Sequence, residues 1–495
     1  VSVVRLRNVA KGFGGRRILD GVNLTLEPGR IVVVVGPSGG GKSVLLDLLL
    51  GLLKPDEGTV ETPAEVGMVF QDGALFDDRT VAQNLAFPAR HLPQAARAAK
   101  VQAAAEAVGL APGHLAARPS QLSGGLRKRA AIARALVQAP AVLLYDEPTA
   151  GLDAAASARV ALAILNARDA VAQQTALVVT HDYPLVARIA DEVLYLDPTV
   201  HQLVPLLTQA QLAAYGPRDQ HWRAIRDTLE GHFEAHDPPA SEPGTGGLSL
   251  ASRARIYVEH AKTALTALAG VRLPPPRALL ARLWDVGLTS VPAVAVSGLV
   301  LGLVTALQVG LALGSAFGDL DPLPAMLGVV LCHHVGPLYT GLFLAGRVGA
   351  RVASEVGIKT YLRQADALRT FNVKPETLWL SPLIFAAIIS FPLLALLLEA
   401  TGLLGGYLGF VGLLGQNTAG FGHTVLDDVR LGPVLFGLGR ALITGIAVVT
   451  LAYNAGRSAR RGSDAVGRAT TRAVVAGLLG VIAVELTFSV LEGLL

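Results

Sequence analysis

The chain has 495 residues, a net charge of +4, 52% apolar residues, 16% charged residues and one cysteine. That length predicts several domains, and an apolar excess over so little charge excludes a purely soluble protein. The lone Cys332 excludes a disulfide framework and reads as a packing residue, and no basic, aromatic-interleaved patch argues for nucleic acid.

Residues 1–27 alternate apolar and polar in short runs punctuated by glycine, which predicts an antiparallel β region. Val1-Ser-Val-Val-Arg-Leu reads as a strand rather than a signal peptide, so the first domain is expected to stay on the side where it is made. The β-branched run Ile31–Val35 leads into Gly36-Pro-Ser-Gly-Gly-Gly-Lys-Ser43, and a helix-like run from Val44 follows. A strand, a glycine-rich loop and a helix in that order make a phosphate cradle: Gly36, Ser38, Gly39, Gly40, Gly41 and Val44 bring backbone N–H groups to the anion. Lys42 reaches the terminal phosphates, and the Ser43 hydroxyl holds Mg²⁺. Phe13 precedes the loop, where it either stacks on adenine or fills a turn.

Downstream, the apolar run Ala141–Leu144 ends in Tyr145-Asp146-Glu147-Pro148. A buried strand ending in two acids sets them at the carboxyl edge of a parallel sheet. There Asp146 binds Mg²⁺ through water and Glu147 polarises the attacking water. Leu122-Ser-Gly-Gly-Leu126, Gln71 after Gly67-Met-Val-Phe, Ala150-Gly-Leu-Asp153 and His181 in Val178-Val-Thr-His-Asp182 complete the set. In this order the pieces resemble the signature motif, Q-loop, D-loop and switch histidine of ABC-transporter ATPases over about residues 3–197. Gly67–Phe76 is similar to the ATPase of the Mla phospholipid-transport system, which tolerates an apolar residue at position 126.

The resemblance implies an α/β P-loop ATPase that uses ATP and Mg²⁺, with Lys42, Glu147 and His181 as catalytic residues. Ser43, Gln71 and Asp146 form its metal set. It also implies a head-to-tail pair of chains, in which Ser123, Gly124, Gly125 and Asp153 complete the partner's nucleotide site.

Residues 200–236 read as mixed-polar helix, with Trp222, Leu229 and Phe233 either embracing a partner subunit or lying on an ordinary surface. The ATPase domain with this extension is assigned to 1–237, a Pro/Gly/Ser-rich linker to 238–250, and an interfacial amphipathic region to 251–288. An all-α transmembrane domain takes 289–495, with about five spans near 289–314, 324–346, 378–398, 433–454 and 472–491. The glycine-rich stretch Gly402–Gly422 is expected to break the helix after the third span.

Arg347, Arg351, Lys359, Arg363, Arg369 and Lys374 cluster between spans two and three, and Arg457, Arg460, Arg461 and Arg468 between spans four and five. Asp319, Asp321, Asp427 and Asp428 mark the opposite side, so both arginine loops face the cytoplasm and the motor. Arg440 and Glu485 are ionisable groups within spans, expected to face a cavity or each other.

Gly336-Pro-Leu, Ala345-Gly-Arg-Val-Gly349, Glu355-Val-Gly357, Gln364-Ala-Asp-Ala-Leu368 and Arg468–Val475 resemble the Mla/Mce-type, MlaE-like permease family over roughly 255–492. The chain departs from that pattern at His333-His334, Arg363 and Gly432-Pro433. The paired histidines read as polar packing or a cavity contact, since no third metal ligand is evident.

The resemblance implies a homodimeric, ATP-driven phospholipid transporter in a bacterial inner membrane, served by an Mce-domain or periplasmic lipid carrier. Val352–Phe371 would couple its two halves. An exporter of another amphiphile, such as a drug or a polysaccharide precursor, is the alternative; the intact Lys42, Asp146, Glu147 and His181 argue against a non-hydrolysing scaffold.

Overall fold

The computed structural model describes residues 4–37, 39–63, 65–214, 271–317, 323–415, 421, 431–459 and 463–494. Ser38, the extension from 215, the linker 238–250, the segment 251–270, Asp319, Asp321, Asp427, Asp428, Arg460 and Arg461 lie outside the described residues. The chain divides into two units. One joins 1–245 to the short segment Leu362–Asn372, and the other takes 246–361 and 373–495.

In the first unit the alternating N-terminal residues form β1 (Arg5–Phe13) and β2 (Arg16–Thr25), which pair antiparallel with each other. β4 (Glu57–Glu61) joins β1 on its other edge. The second sheet holds six strands: β3 (Ile31–Val35), β5 (Val66–Val69), β6 (Val142–Asp146), β7 (Thr175–Val179), β8 (Glu192–Asp197) and β9 (Gln202–Leu207), in the order β5-β6-β7-β3-β8-β9.

β5 through β8 run parallel, and β9 closes the edge antiparallel to β8. β3, β6 and β7 are buried along their whole length, as near-continuous Val/Leu runs require when helices cover both faces of a parallel sheet. The carboxyl ends of β3 and β6 therefore open at one edge of the sheet, with β7 between them. That edge is where open α/β sheets bind ligands.

The second unit is helical. Among the described residues, four of its helices are long and apolar enough to cross a membrane: Pro276–Leu313, Glu376–Leu413, Val434–Arg457 and Asp464–Glu492. The remaining expected span, near 324–346, forms part of a helical run from Leu323 to Tyr361. π-helical turns interrupt that run at Leu331–Val335, which carries His333 and His334, and at Ala345–Gly349. Among the described residues of the unit, Pro276–Val286 is the first helix, with Leu280 and Trp284 exposed.

Of the stretch Gly402–Gly422, expected to form a broken or re-entrant helix, the first part continues the helix: Ser381–Tyr407 runs on through the π-helical turn Leu408–Leu413 and ends before Gly415, at φ 66°. Residues 416–420 and 422 lie outside the described residues. Gly402 and Gly405 serve packing. A Cβ on Gly302 would collide with the Gly402 carbonyl, and one on Gly405 with the Leu299 carbonyl. The backbones of helices Val291–Phe317 and Ser381–Tyr407 thus approach as closely as small-residue interfaces in lipid allow.

Ion pairs tie the helix ends of this unit together. Arg282 binds Glu355 through two bonds of 2.6 Å, Lys359 adds a third at 2.7 Å, and Arg351 meets Asp285 at 2.6 Å. Burial raises the Glu355 pKa, but these hydrogen bonds outweigh it and hold the carboxyl at about 2. Arg457 reaches Glu376 at 2.8 Å, which brings the ends of two arginine-rich connections to one side of the bundle. Arg440, almost wholly buried, pairs with Glu485 at 3.4 Å and also with Glu492. Arg440 and Glu485, whose pairing the sequence left open, therefore pair, and Glu492 is a second acid that the sequence reading did not include.

Candidate nucleotide site

The loop after β3 turns at Gly36, Gly39 and Gly41, whose φ angles are 158°, 82° and 100°. At Gly41 a side chain would also strike Ile18 and Leu19, so this turn admits only glycine. Lys42 opens the helix Lys42–Leu49 and folds back over the loop, donating to the Gly36 carbonyl at 2.7 Å and the Pro37 carbonyl at 2.9 Å. Burial lowers its pKa, and the Glu147 and Asp146 carboxylates partly restore the charge.

An ammonium held only by carbonyls at the mouth of a glycine loop suits a phosphate oxygen as its exchange partner. Ser43 is exposed beside it. Among the residues read from sequence, Asp146 and Glu147 stand nearest in charge to Lys42.

Asp146 ends β6 and is buried; burial pushes its carboxyl up to about 6, against the pull of Arg363. Glu147 sits just past the strand at φ 45°. Its backbone N–H donates to the Val179 carbonyl at 2.9 Å, which pins the residue to the end of β7. The His181 ring Nδ1 lies 2.8 Å from Glu147 Oε1, so the structure brings those two residues together. The donor set Ser43, Gln71 and Asp146 offers only oxygen ligands to a metal, and these are the hard ligands that Mg²⁺ prefers.

Ser123 caps the helix Gly124–Leu136, and a Cβ added to Gly124 or Gly125 would meet Leu152 or Ala156. Asp153 caps the next helix, Ala154–Ala170, accepting from the Ala156 N–H at 2.7 Å. Phe13 is half exposed, with Lys11 over its ring. A cavity of about 430 Å³ borders Glu147, Gly151, Ser157, His181 and Tyr183, and so lies against the D-loop segment and the histidine.

Sequence reasoning missed two residues. Lys128 is buried within the signature helix and bridges the Gln71 carbonyl to the Glu147 carbonyl, the latter at 3.1 Å. In sequence it stands between Arg127 and Arg129, ahead of the mostly apolar run that follows, where nothing marks it as buried. Arg134 is buried as well, and it donates to the Ala74 and Gly73 carbonyls at 2.6 and 2.9 Å.

The segment Leu362–Asn372 completes this unit, although the residues before and after it belong to the helical one. It is the short helix Gln364–Thr370, introduced by Arg363 in the left-handed region. Gln364 donates to the Leu75 carbonyl at 2.8 Å and to Asp77 at 3.0 Å. Phe371 inserts edge-on against Phe87, its ring lies 5.4 Å from the Arg134 guanidinium, and its carbonyl accepts from Arg90 at 3.2 Å. Of the stretch Val352–Phe371 expected to couple the two halves, the second half, from Leu362, belongs to this unit. Leu368, from the same helix, is buried.

Comparison with known proteins matches two family models to separate parts of the chain. Residues 19–150 match the ABC transporter family model, and residues 279–491 match that of Permease MlaE. An Fe(3+) ions import ATP-binding protein, FbpC 2, of Rhodococcus jostii (strain RHA1) is 44% identical over 202 residues, or 37% of this chain and 57% of that protein. The chain thus spans somewhat over half the length of that relative. The intermembrane phospholipid transport system ATP-binding protein MlaF of Haemophilus influenzae is 37% identical over 209 residues, 38% of this chain and 78% of that protein. A solved dimeric bacterial ABC transporter cassette is 29% identical over 40% of this chain and 96% of its own, with a TM-score of 0.37. The chain belongs to the ABC transporter family, with an ABC ATPase related to MlaF and a MlaE-type permease joined in one polypeptide.

Proposed function

We propose that two copies of this chain form an ATP-driven phospholipid transporter of a bacterial inner membrane, with the ATPase domains in the cytoplasm. The observation that carries this reading is the joining, in one chain, of an ABC ATPase to a MlaE-type permease. The ATPase half alone does not choose a cargo, since relatives named for iron and for phospholipid both resemble it. The MlaE-type permease half, beside a relative named for phospholipid transport, supports lipid as the cargo.

In this reading ATP enters the loop Gly36–Ser43, including Ser38, and its adenine meets Phe13. Lys42 exchanges the carbonyls of Gly36 and Pro37 for phosphate oxygens. Ser43, Gln71 and Asp146 would hold Mg²⁺, whose charge would help neutralise the transferred γ-phosphoryl group. Glu147 polarises the attacking water, and His181, 2.8 Å from its carboxylate, sets the orientation of that carboxylate. Ser123, Gly124, Gly125 and Asp153 face the partner chain's nucleotide, so each site needs both copies. The domain boundaries 1–237, 238–250, 251–288 and 289–495 follow the same reading, and a lipid-carrying Mce-domain protein is the expected partner outside the membrane.

Native mass spectrometry of the purified dimer tests the cargo. Bound diacyl phospholipid is expected, together with ATP-dependent lipid transfer between vesicles once the carrier is supplied. ATPase stimulation by a non-lipid amphiphile, with no effect of lipid, would overturn the reading.

A further inference from the structure

Arg363 stands in an unusual place for a residue of the coupling segment. Its guanidinium pairs with Asp47, which lies one helical turn after Ser43 on the helix Lys42–Leu49. The other nitrogens reach Asp146 at 3.5 Å and Asp366 at 3.3 Å. The flat face of the group lies 5.0 Å from the ring of Phe70, the residue before Gln71. One cation therefore touches Asp146 itself and the segments that carry Ser43 and Gln71, the proposed metal set.

Three carboxylates surround the guanidinium, and Asp366 is shared with Arg369 at 2.9 Å. Asp146 is the only one of the three assigned to the metal. A guanidinium and a divalent cation both seek its oxygens, and each lowers the attraction left for the other.

We propose that Arg363 is a positioning residue that competes with Mg²⁺ for Asp146, so that occupancy of the metal site loosens the coupling segment and docking of that segment weakens metal binding. Reciprocity follows from linkage: whatever factor Mg²⁺ takes from docking, docking takes from Mg²⁺ affinity. The device joins the nucleotide state to the segment Leu362–Asn372 within one chain, without any change in Gln71. It rests on the assignment of Asp146 to the metal.

The test uses the full-length chain in the Glu147→Gln background, with methylanthraniloyl-ATP as probe. The quantity read is the ratio of nucleotide dissociation constants measured in EDTA and in Mg²⁺. Arg363→Gln is expected to raise that ratio by roughly five-fold or more, the lower end of ordinary coupling between sites. Arg363→Lys, which keeps the charge without the fork, falls between. Phe371→Ala, which undocks the segment while keeping the arginine, raises the ratio as well, and this guards against a local folding defect in Arg363→Gln. Hydrogen exchange of the 362–372 peptide supplies a readout without turnover: it rises on adding Mg²⁺ in the parent and becomes indifferent to Mg²⁺ in Arg363→Gln.

Asp146→Asn separates the two ideas. If it collapses the ratio while Arg363→Gln and Phe371→Ala leave it within two-fold of the parent, the competition is refuted and the metal assignment stands. If Asp146→Asn leaves the ratio unmoved, the metal assignment fails and the competition fails with it.

Discussion

Phe371→Ala removes the principal apolar anchor of the coupling segment. The ring is 6% exposed and meets Phe87 at 6.0 Å between centroids, with an interplanar angle of 66°. Truncating a buried phenylalanine costs about 3–5 kcal/mol, a range that includes the edge-to-face contact and the stacking on Arg134. Taken as about 4 kcal/mol, the loss shifts the docking equilibrium by roughly a thousand-fold. The ATPase fold is expected to survive, because Arg134 keeps its bonds to the Ala74 and Gly73 carbonyls.

Hydrogen exchange of the 362–372 peptide in the full-length chain should therefore accelerate by two to three orders of magnitude if docking controls its protection, the fold-change that about 3–4 kcal/mol converts to. The melting temperature of the ATPase domain should move little. Transport per ATP hydrolysed should fall, since turnover continues without a docked segment. Protection within three-fold of the parent, in a folded protein, would show that Phe371 does not hold the segment, and an unchanged transport-to-hydrolysis ratio would show that the segment does not couple.

Three further outcomes are expected. Glu147→Gln should keep nucleotide binding and reduce turnover at least a hundred-fold, as loss of a general base does, measured by phosphate release; wild-type turnover would remove Glu147 from its role. Mixing Lys42→Ala chains with Ser123→Arg chains should restore partial hydrolysis. The two lesions then fall in one composite site and leave the other whole, and an active purified monomer would contradict the shared-site arrangement. Arg440→Met should destabilise the helical unit by about 3–5 kcal/mol by leaving Glu485 without its buried partner, and Arg440→Met with Glu485→Gln should recover part of that in thermal unfolding in detergent. Equal melting temperatures for all three proteins would mean that the pair contributes nothing.

The sequence alone made the parts of the candidate nucleotide site legible, because phosphate loops depend on local order. The glycine run, Lys42 and the following helix are contiguous, and Asp146-Glu147 ends a buried strand whose apolar run is visible in the chain. It also determined that the second half belongs to a membrane, since hydropathy sums over adjacent residues. Pairings between distant elements were decided by the tertiary structure.

Arg440 and Glu485 were legible as costly charges, but Glu492 as a second partner was not, because side-chain depth depends on helix packing. Gly402 and Gly405 read as helix breakers on intrinsic propensity, yet in a close-packed helix pair the missing side chain is what lets the backbones meet. Lys128 gave almost no signal, since its role depends on two carbonyls contributed by separate loops. Arg363 was visible in sequence only as a departure from a family pattern. Its contact with Asp146 spans 217 residues of chain, and only the fold brings the coupling segment to the carboxylate at the end of β6.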